Sequence, residues 1–203
     1  MGLDMYLYAE KHVSQYDYDF TDGRNERTLN PEYARASELV KGLPTAEYGG
    51  ITISKNVAYW RKANAVHGWI VRECADGRDE CQRIDLERDD LVRLRDVCVE
   101  ALKDRDKAVV TDTTRPTLKV DTEDKTKFIE AMLEEIIKQA DKDKVTNQVT
   151  DDNPIPPVAG FFFGGSEKDK YYYDYLAETA ETIGVILASD PDNEYSYYYR
   201  ASW

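Results

Sequence analysis

Histidine and cysteine are scarce, with two and three residues in a chain of 203. His12 and His67 offer few ligands for a Cys/His zinc site, and Cys74, Cys81 and Cys98 are odd in number with no Cys-x-x-Cys spacing. They read as reduced core thiols of an intracellular protein. Long apolar runs are missing as well: none approaches the ~18 residues of a membrane span, and no signal peptide is visible. Cations are outnumbered, 27 Lys and Arg against 40 Asp and Glu, for a net charge of -13. That balance argues against a broad nucleic-acid face and against an anionic membrane surface. It serves solubility, or in a sharper reading imitates the phosphates of DNA. Gly-x-Ser-x-Gly, His-Glu-x-x-His and Gly-x-Gly-x-x-Gly are absent, which removes common hydrolase, metalloprotease and dinucleotide signatures.

What is present suffices for a folded core. A mean hydropathy of -0.67 marks a polar chain, but 41% hydrophobic and 11% aromatic residues are too many for disorder. A chain this long buries roughly 70% of its unfolded surface and needs no disulfide, metal or cofactor to hold it. Residues 1–203 read as one domain, with 105–150 an insertion on a smaller core.

Leu3, Met5 and Leu7 alternate with Asp4, Tyr6 and Tyr8, the period of a strand. Residues 15–30 are polar and turn-rich, so they read as a loop. A short helix is expected over 31–41, stopped by Gly42 and Pro44. Trp60, Ala63, Val66, Ile70 and Val71 recur at helical spacing and predict a helix over 57–73. A second is expected from Asp85 to about 104, a third over 122–141, and a fourth over 167–188. Tyr195, Tyr197 and Tyr199 alternate with Ser196, Tyr198 and Arg200, again a strand. The fold class is therefore α+β: the first and last strands pair antiparallel, with amphipathic helices packed on one face. An aromatic last strand would leave an edge that a second copy could cover, giving a homo-oligomer.

Chemistry concentrates in Tyr59–Trp69, read YWRKANAVHGW. On a helix Trp60, Asn64 and His67 share one face, and Arg61 and Lys62 project near the helix start, where an anion could bind. Against this stands a bland alternative, in which Asn64 and His67 are hydrogen-bonded core residues and the cations pair with surface carboxylates. As a general base His67 would need a carboxylate to orient it, Asp4 or Asp79. In Gly160–Gly165, read GFFFGG, Phe161 and Phe163 could stack on a planar ring and Gly164 could admit close backbone approach. The same run also fits a buried strand.

The stretches MGLDMYL (Met1–Leu7), YWRKANAVHGW and GFFFGG, with the tyrosine-rich end, together resemble a family of uncharacterised proteins encoded by bacteriophages and prophages. The resemblance spans the two ends and residues 57–102. It implies an accessory protein acting in the host cytoplasm, with counter-defence as the expected role. Three functions follow. The first is sequestration of a phosphorylated, nucleotide-like small molecule by Trp60, Arg61, Lys62, Asn64, His67, Trp69, Phe161, Phe163 and Gly164. The second is an acidic inhibitor that binds a host defence protein. The third is an enzyme on a nucleotide, with His67 as acid/base and Asp4 as its partner.

Overall fold

The computed structural model describes residues 2–19, 26–47, 49–103, 153–158 and 168–203. The expected insertion at 105–150, the helix over 122–141 and the GFFFGG run with Phe161, Phe163 and Gly164 lie outside them.

The fold is α+β. Strand β1 (Asp4–Ser14) pairs antiparallel with β6 (Ser196–Ser202) on one side and with β4 (Gly50–Arg61) on the other. A three-residue strand β5 (Ile84–Leu86) flanks β6, so the sheet order is β4-β1-β6-β5. Alternation fixes its two faces. Leu3, Met5, Leu7, Ala58, Trp60, Tyr197, Tyr199 and Ala201 point into the core, each less than 9% exposed. Asp4, Tyr6, Tyr8, Tyr59, Arg61, Tyr198 and Arg200 take the opposite parity.

Helices cover the core face. α1 (Pro31–Ser37) begins at Asn30, whose side chain accepts the N–H groups of Glu32 and Tyr33, and Pro31 pre-sets the first turn. The α-helix ends at Ser37, short of the expected 41, and passes into a 3-10 turn over Glu38–Val40; beyond it Gly42 holds φ 92, a left-handed conformation that suits glycine. α2 (Asn64–Cys74) supplies Val66, Trp69 and Ile70 to the core. α3 (Arg88–Leu102) opens with Asp90 accepting the Glu87 N–H at 2.8 Å and buries Leu91, Leu94 and Cys98. α4 (Lys170–Ser189) is capped by Asp169 and lays Leu176, Ala180, Ile183 and Leu187 against α3 and the sheet. Tyr172 and Tyr173 are buried while Tyr171 faces outward, as a helical run of adjacent tyrosines requires. Gly68 on α2 admits the 153–158 segment: a Cβ there would stand 3.0 Å from Val158.

Four expectations are corrected. Residues 57–61 belong to β4 and not to a helix; α2 starts only at Asn64, after a turn in which Lys62 holds φ 65. The helix expected from Asp85 starts at Arg88, because Ile84–Leu86 pairs with β6 as a strand. The stretch 15–30 contains an antiparallel strand pair, β2 (Tyr16–Asp19) with β3 (Glu26–Leu29); the alternation of Tyr16 and Tyr18 with Asp17 and Asp19 is too short to stand out, and β3 is exposed throughout. Finally, β6 is interior to the sheet, so the edge expected beside the last strand is already filled by β1 and β5. No described helix is long and apolar enough to cross a membrane.

Candidate functional site

The residues of YWRKANAVHGW do not share one face. Trp60 leaves β4 toward the core and is 2% exposed. Arg61, the next residue, leaves on the opposite face with its Nε 3.8 Å from Asp4, its partner in the register. Lys62 occupies the turn and donates its backbone N–H to the Leu3 carbonyl at 2.8 Å, which pins the turn to the start of the sheet. Asn64 and Trp69 are buried on α2, and the Arg93 guanidinium lies 5.8 Å from the Trp69 ring centre.

His67 is held from both sides. Its Nε2 lies 3.0 Å from an Asp79 carboxylate oxygen, and its Nδ1 lies 2.8 Å from the Tyr199 hydroxyl. A carboxylate only accepts, so Nε2 donates to Asp79; in the neutral ring Nδ1 then accepts from Tyr199. The Trp203 ring stands 5.7 Å away. Tyr199 is fully buried, and burial, followed by the charge of Asp79, pushes its hydroxyl well above the usual tyrosine range. With both ring nitrogens engaged and a buried phenol as one partner, His67 has no free nitrogen for a substrate. It works as a strut joining α2, the 75–83 turn and β6. Of the two carboxylates expected to orient His67, Asp79 does so. Asp4 sits on the far face of the sheet, where it accepts the Tyr59 hydroxyl at 2.5 Å.

His67→Ala should therefore act on stability. The Tyr199 hydroxyl would be left buried without a partner, which costs about 1–3 kcal/mol. Urea unfolding of the two proteins measures this, and a loss below about 0.5 kcal/mol would reject the strut.

The outer face of the sheet gathers a different constellation. Tyr8 and Tyr198 stack with ring centres 4.6 Å apart and planes 6° from parallel. Arg83 covers the Tyr198 ring at 3.9 Å while binding Glu10 at 2.8 Å and Asp85 at 2.7 Å. Tyr6 lies 5.2 Å from Tyr59 and opposite Arg200 in the register. Ser54 and Tyr198 share a hydroxyl–hydroxyl bond at 3.1 Å. Asp4, Glu10 and Asp85 are each paired with an arginine, whereas exposed Arg200 makes no ion pair among the described residues. The face is thus neutral and tyrosine-rich on a chain of charge -13. The alternation of Tyr6 and Tyr8 with the core residues of β1, and of Tyr198 and Arg200 with those of β6, was the signal for it.

A groove of about 550 Å³ runs between α2, α3 and residues 153–156, lined by Trp69, Arg72, Arg93, Val97 and Pro154 among others. Its cations are matched: Arg72 by Glu73 and the Pro154 carbonyl, Arg93 by Asp90. All three cysteines are free, and burial raises the Cys74 thiol to about 11 and the Cys98 thiol further, which disfavours the thiolate form of both. Among the described residues, no group of three or more His, Cys, Asp or Glu side chains is placed to hold a metal ion. No family model, curated protein or solved structure matches the chain.

Proposed function

We propose that the protein is a protein-binding accessory module whose recognition surface is the outer face of the four-stranded sheet. One observation carries this reading: Tyr6, Tyr8, Tyr59, Tyr198, Arg61, Arg83 and Arg200 converge on one strand-borne face, on which Tyr59, Arg61 and Arg200 are exposed. Tyrosine and arginine dominate interface hot spots, because they bring large contact area and polar tips at modest entropic cost. The rings here are held by one another and by Arg83, so little ordering remains to be done on binding. Arg200 would receive a carboxylate or carbonyl of the partner. The acidic remainder of the chain would draw in a partner with basic surroundings and make association salt-sensitive.

The motif resemblance supports a phage accessory protein in the host cytoplasm, with a host defence protein as the partner. The nucleotide-sequestering reading has less support, because Trp60, Asn64 and Trp69 are buried and His67 is engaged at both nitrogens. The enzyme reading rests on the same His67 and weakens with it.

Affinity capture from host-cell lysate with the wild-type chain and a Tyr198→Ala/Arg200→Glu variant tests the proposal. The expected result is a protein retained by the wild type and lost at least tenfold in the variant, with Tm unchanged within a few degrees. A nucleotide that raises Tm of the wild type by several degrees, an effect lost in His67→Ala, would instead return the reading to small-molecule sequestration.

A further inference from the structure

The two edges of the sheet differ. β5 offers three residues, too few to template another strand, whereas β4 offers twelve. Among the described residues no strand pairs with the outer edge of β4. Natural proteins blunt such edges with proline, charge or bulges, and of these β4 carries one bulge, at Val57, and two cations, Lys55 and Arg61. β4 contains no proline, its one glycine is the first residue, and Ile51, Thr52, Ile53 and Val57 favour extended backbone. A register irregularity between Leu7 and Tyr8, where β4 carries an extra residue at Val57, leaves 50–56 as the regular stretch of edge.

The charge of this edge is also unlike the rest of the molecule. No Asp or Glu occurs between Tyr48 and Arg72, although the chain has 40 of them. Lys55 is exposed and makes no ion pair among the described residues. Along β4, Ile51, Ile53 and Lys55 share one face, and Ile53 is 49% exposed. A strand added here would satisfy the row of open backbone groups, set apolar side chains beside Ile51 and Ile53, and meet the Lys55 ammonium with its third inward side chain.

We propose that the β4 edge accepts an extended, acidic segment of a partner protein as a fifth, antiparallel strand, with a carboxylate at Lys55 and apolar residues at Ile51 and Ile53. Backbone hydrogen bonds supply the affinity and the Lys55 contact sets the preference for acid. A second copy of this chain fits the edge less well, since its β4 strand contains no Asp or Glu to meet Lys55. The proposal stands on the sheet edge and is independent of the outer-face reading.

The probe is a fluorescein-labelled heptapeptide, Thr-Glu-Thr-Val-Thr-Val-Thr, which in antiparallel register sets its Glu opposite Lys55. It is titrated into the full chain by anisotropy, beside the same peptide with Lys in place of Glu and one with alternate backbone nitrogens methylated. The Glu peptide is expected to bind at least tenfold more tightly than the Lys peptide, and the methylated one not measurably. Lys55→Glu should reverse the preference. Amide hydrogen exchange should slow across residues 50–56 when the Glu peptide is bound. Equal binding of the two charged peptides, a preference that survives Lys55→Glu, protection elsewhere, or sedimentation as a dimer that blocks the peptide would each overturn the proposal.

Discussion

Trp60→Ala is expected to lower stability by about 3–5 kcal/mol, while Arg61→Ala, one residue along, should change it by no more than about 0.5 kcal/mol. The contrast follows from the strand. Trp60 is 2% exposed and opposes Met5 across β1, itself fully buried, so truncation opens a cavity between sheet and helices. Arg61 points to solvent with its side chain 64% exposed and only a 3.8 Å contact to Asp4. Were 57–73 one continuous helix, with Trp60 lining a ligand pocket, the tryptophan would be the cheaper of the two to lose. Circular dichroism melts decide between these, since a loss of that size should move Tm by roughly 10 °C in a chain of this length. Comparable shifts for both variants would refute the strand assignment.

Asp190 is the second position at which a large effect is expected. It is 3% exposed and follows the last residue of α4. Its carboxylate accepts the Tyr197 hydroxyl and the Glu194 N–H, both at 2.8 Å. Arg88 stands 3.9 Å away and donates to the backbone carbonyls of Asp190 and Leu187, the open end of α4. Burial alone would raise the pKa of this carboxyl. The Tyr197 hydroxyl, the backbone N–H groups of Glu194 and Tyr195, and the Arg88 charge outweigh it and hold the group below its usual range.

Asp190→Ala would strand the buried Tyr197 hydroxyl and remove the anchor between α4, α3 and β6, at about 2–3 kcal/mol. The pH dependence has a definite sign. A carboxyl whose folded pKa lies below its unfolded value adds stability above the unfolded value and loses it as pH falls through the folded one. The gap in stability between wild type and Asp190→Asn should therefore stay constant above about pH 5 and close progressively below about pH 4. Urea titrations at several pH values measure it, and a gap that widens on acidification would rule out the arrangement.

Much of the fold was legible where alternation ran unbroken. Leu3, Met5 and Leu7 against Asp4, Tyr6 and Tyr8 defined β1 and both its faces, and Tyr197 and Tyr199 did the same for β6. The pairing of those two strands followed from finding them at opposite ends. β4 escaped for a physical reason. The extra residue at Val57 shifts parity, so Ile51 and Ile53 fall on odd positions while Ala58 and Trp60 fall on even ones. A period of two cannot survive that break, and the apolar residues after it join those of α2 into a false helical stripe.

The site was less legible, because its contacts span the chain. His67 meets Tyr199, 132 residues away, and no local pattern encodes such a pair. Asp79 was nameable as a partner by charge alone. The stack of Tyr8 on Tyr198 and the Arg83 cover depend likewise on a register that only the folded sheet creates.

The pairing of β1 with β6 also governs when the molecule can form. Asp4 lies opposite Ser202, so two neighbouring strands at the centre of the sheet come from segments separated by most of the 203 residues. While the ribosome is still building the intervening chain, β1 has β4 to pair with, but the place for β6 stays empty and the core-facing residues of both strands are uncovered. Completion waits until β6 clears the exit tunnel, and closing the long loop between β1 and β6 then slows it. A nascent chain stalled before residue 196 should therefore be protease-sensitive and a client of cellular chaperones, however stable the finished protein is.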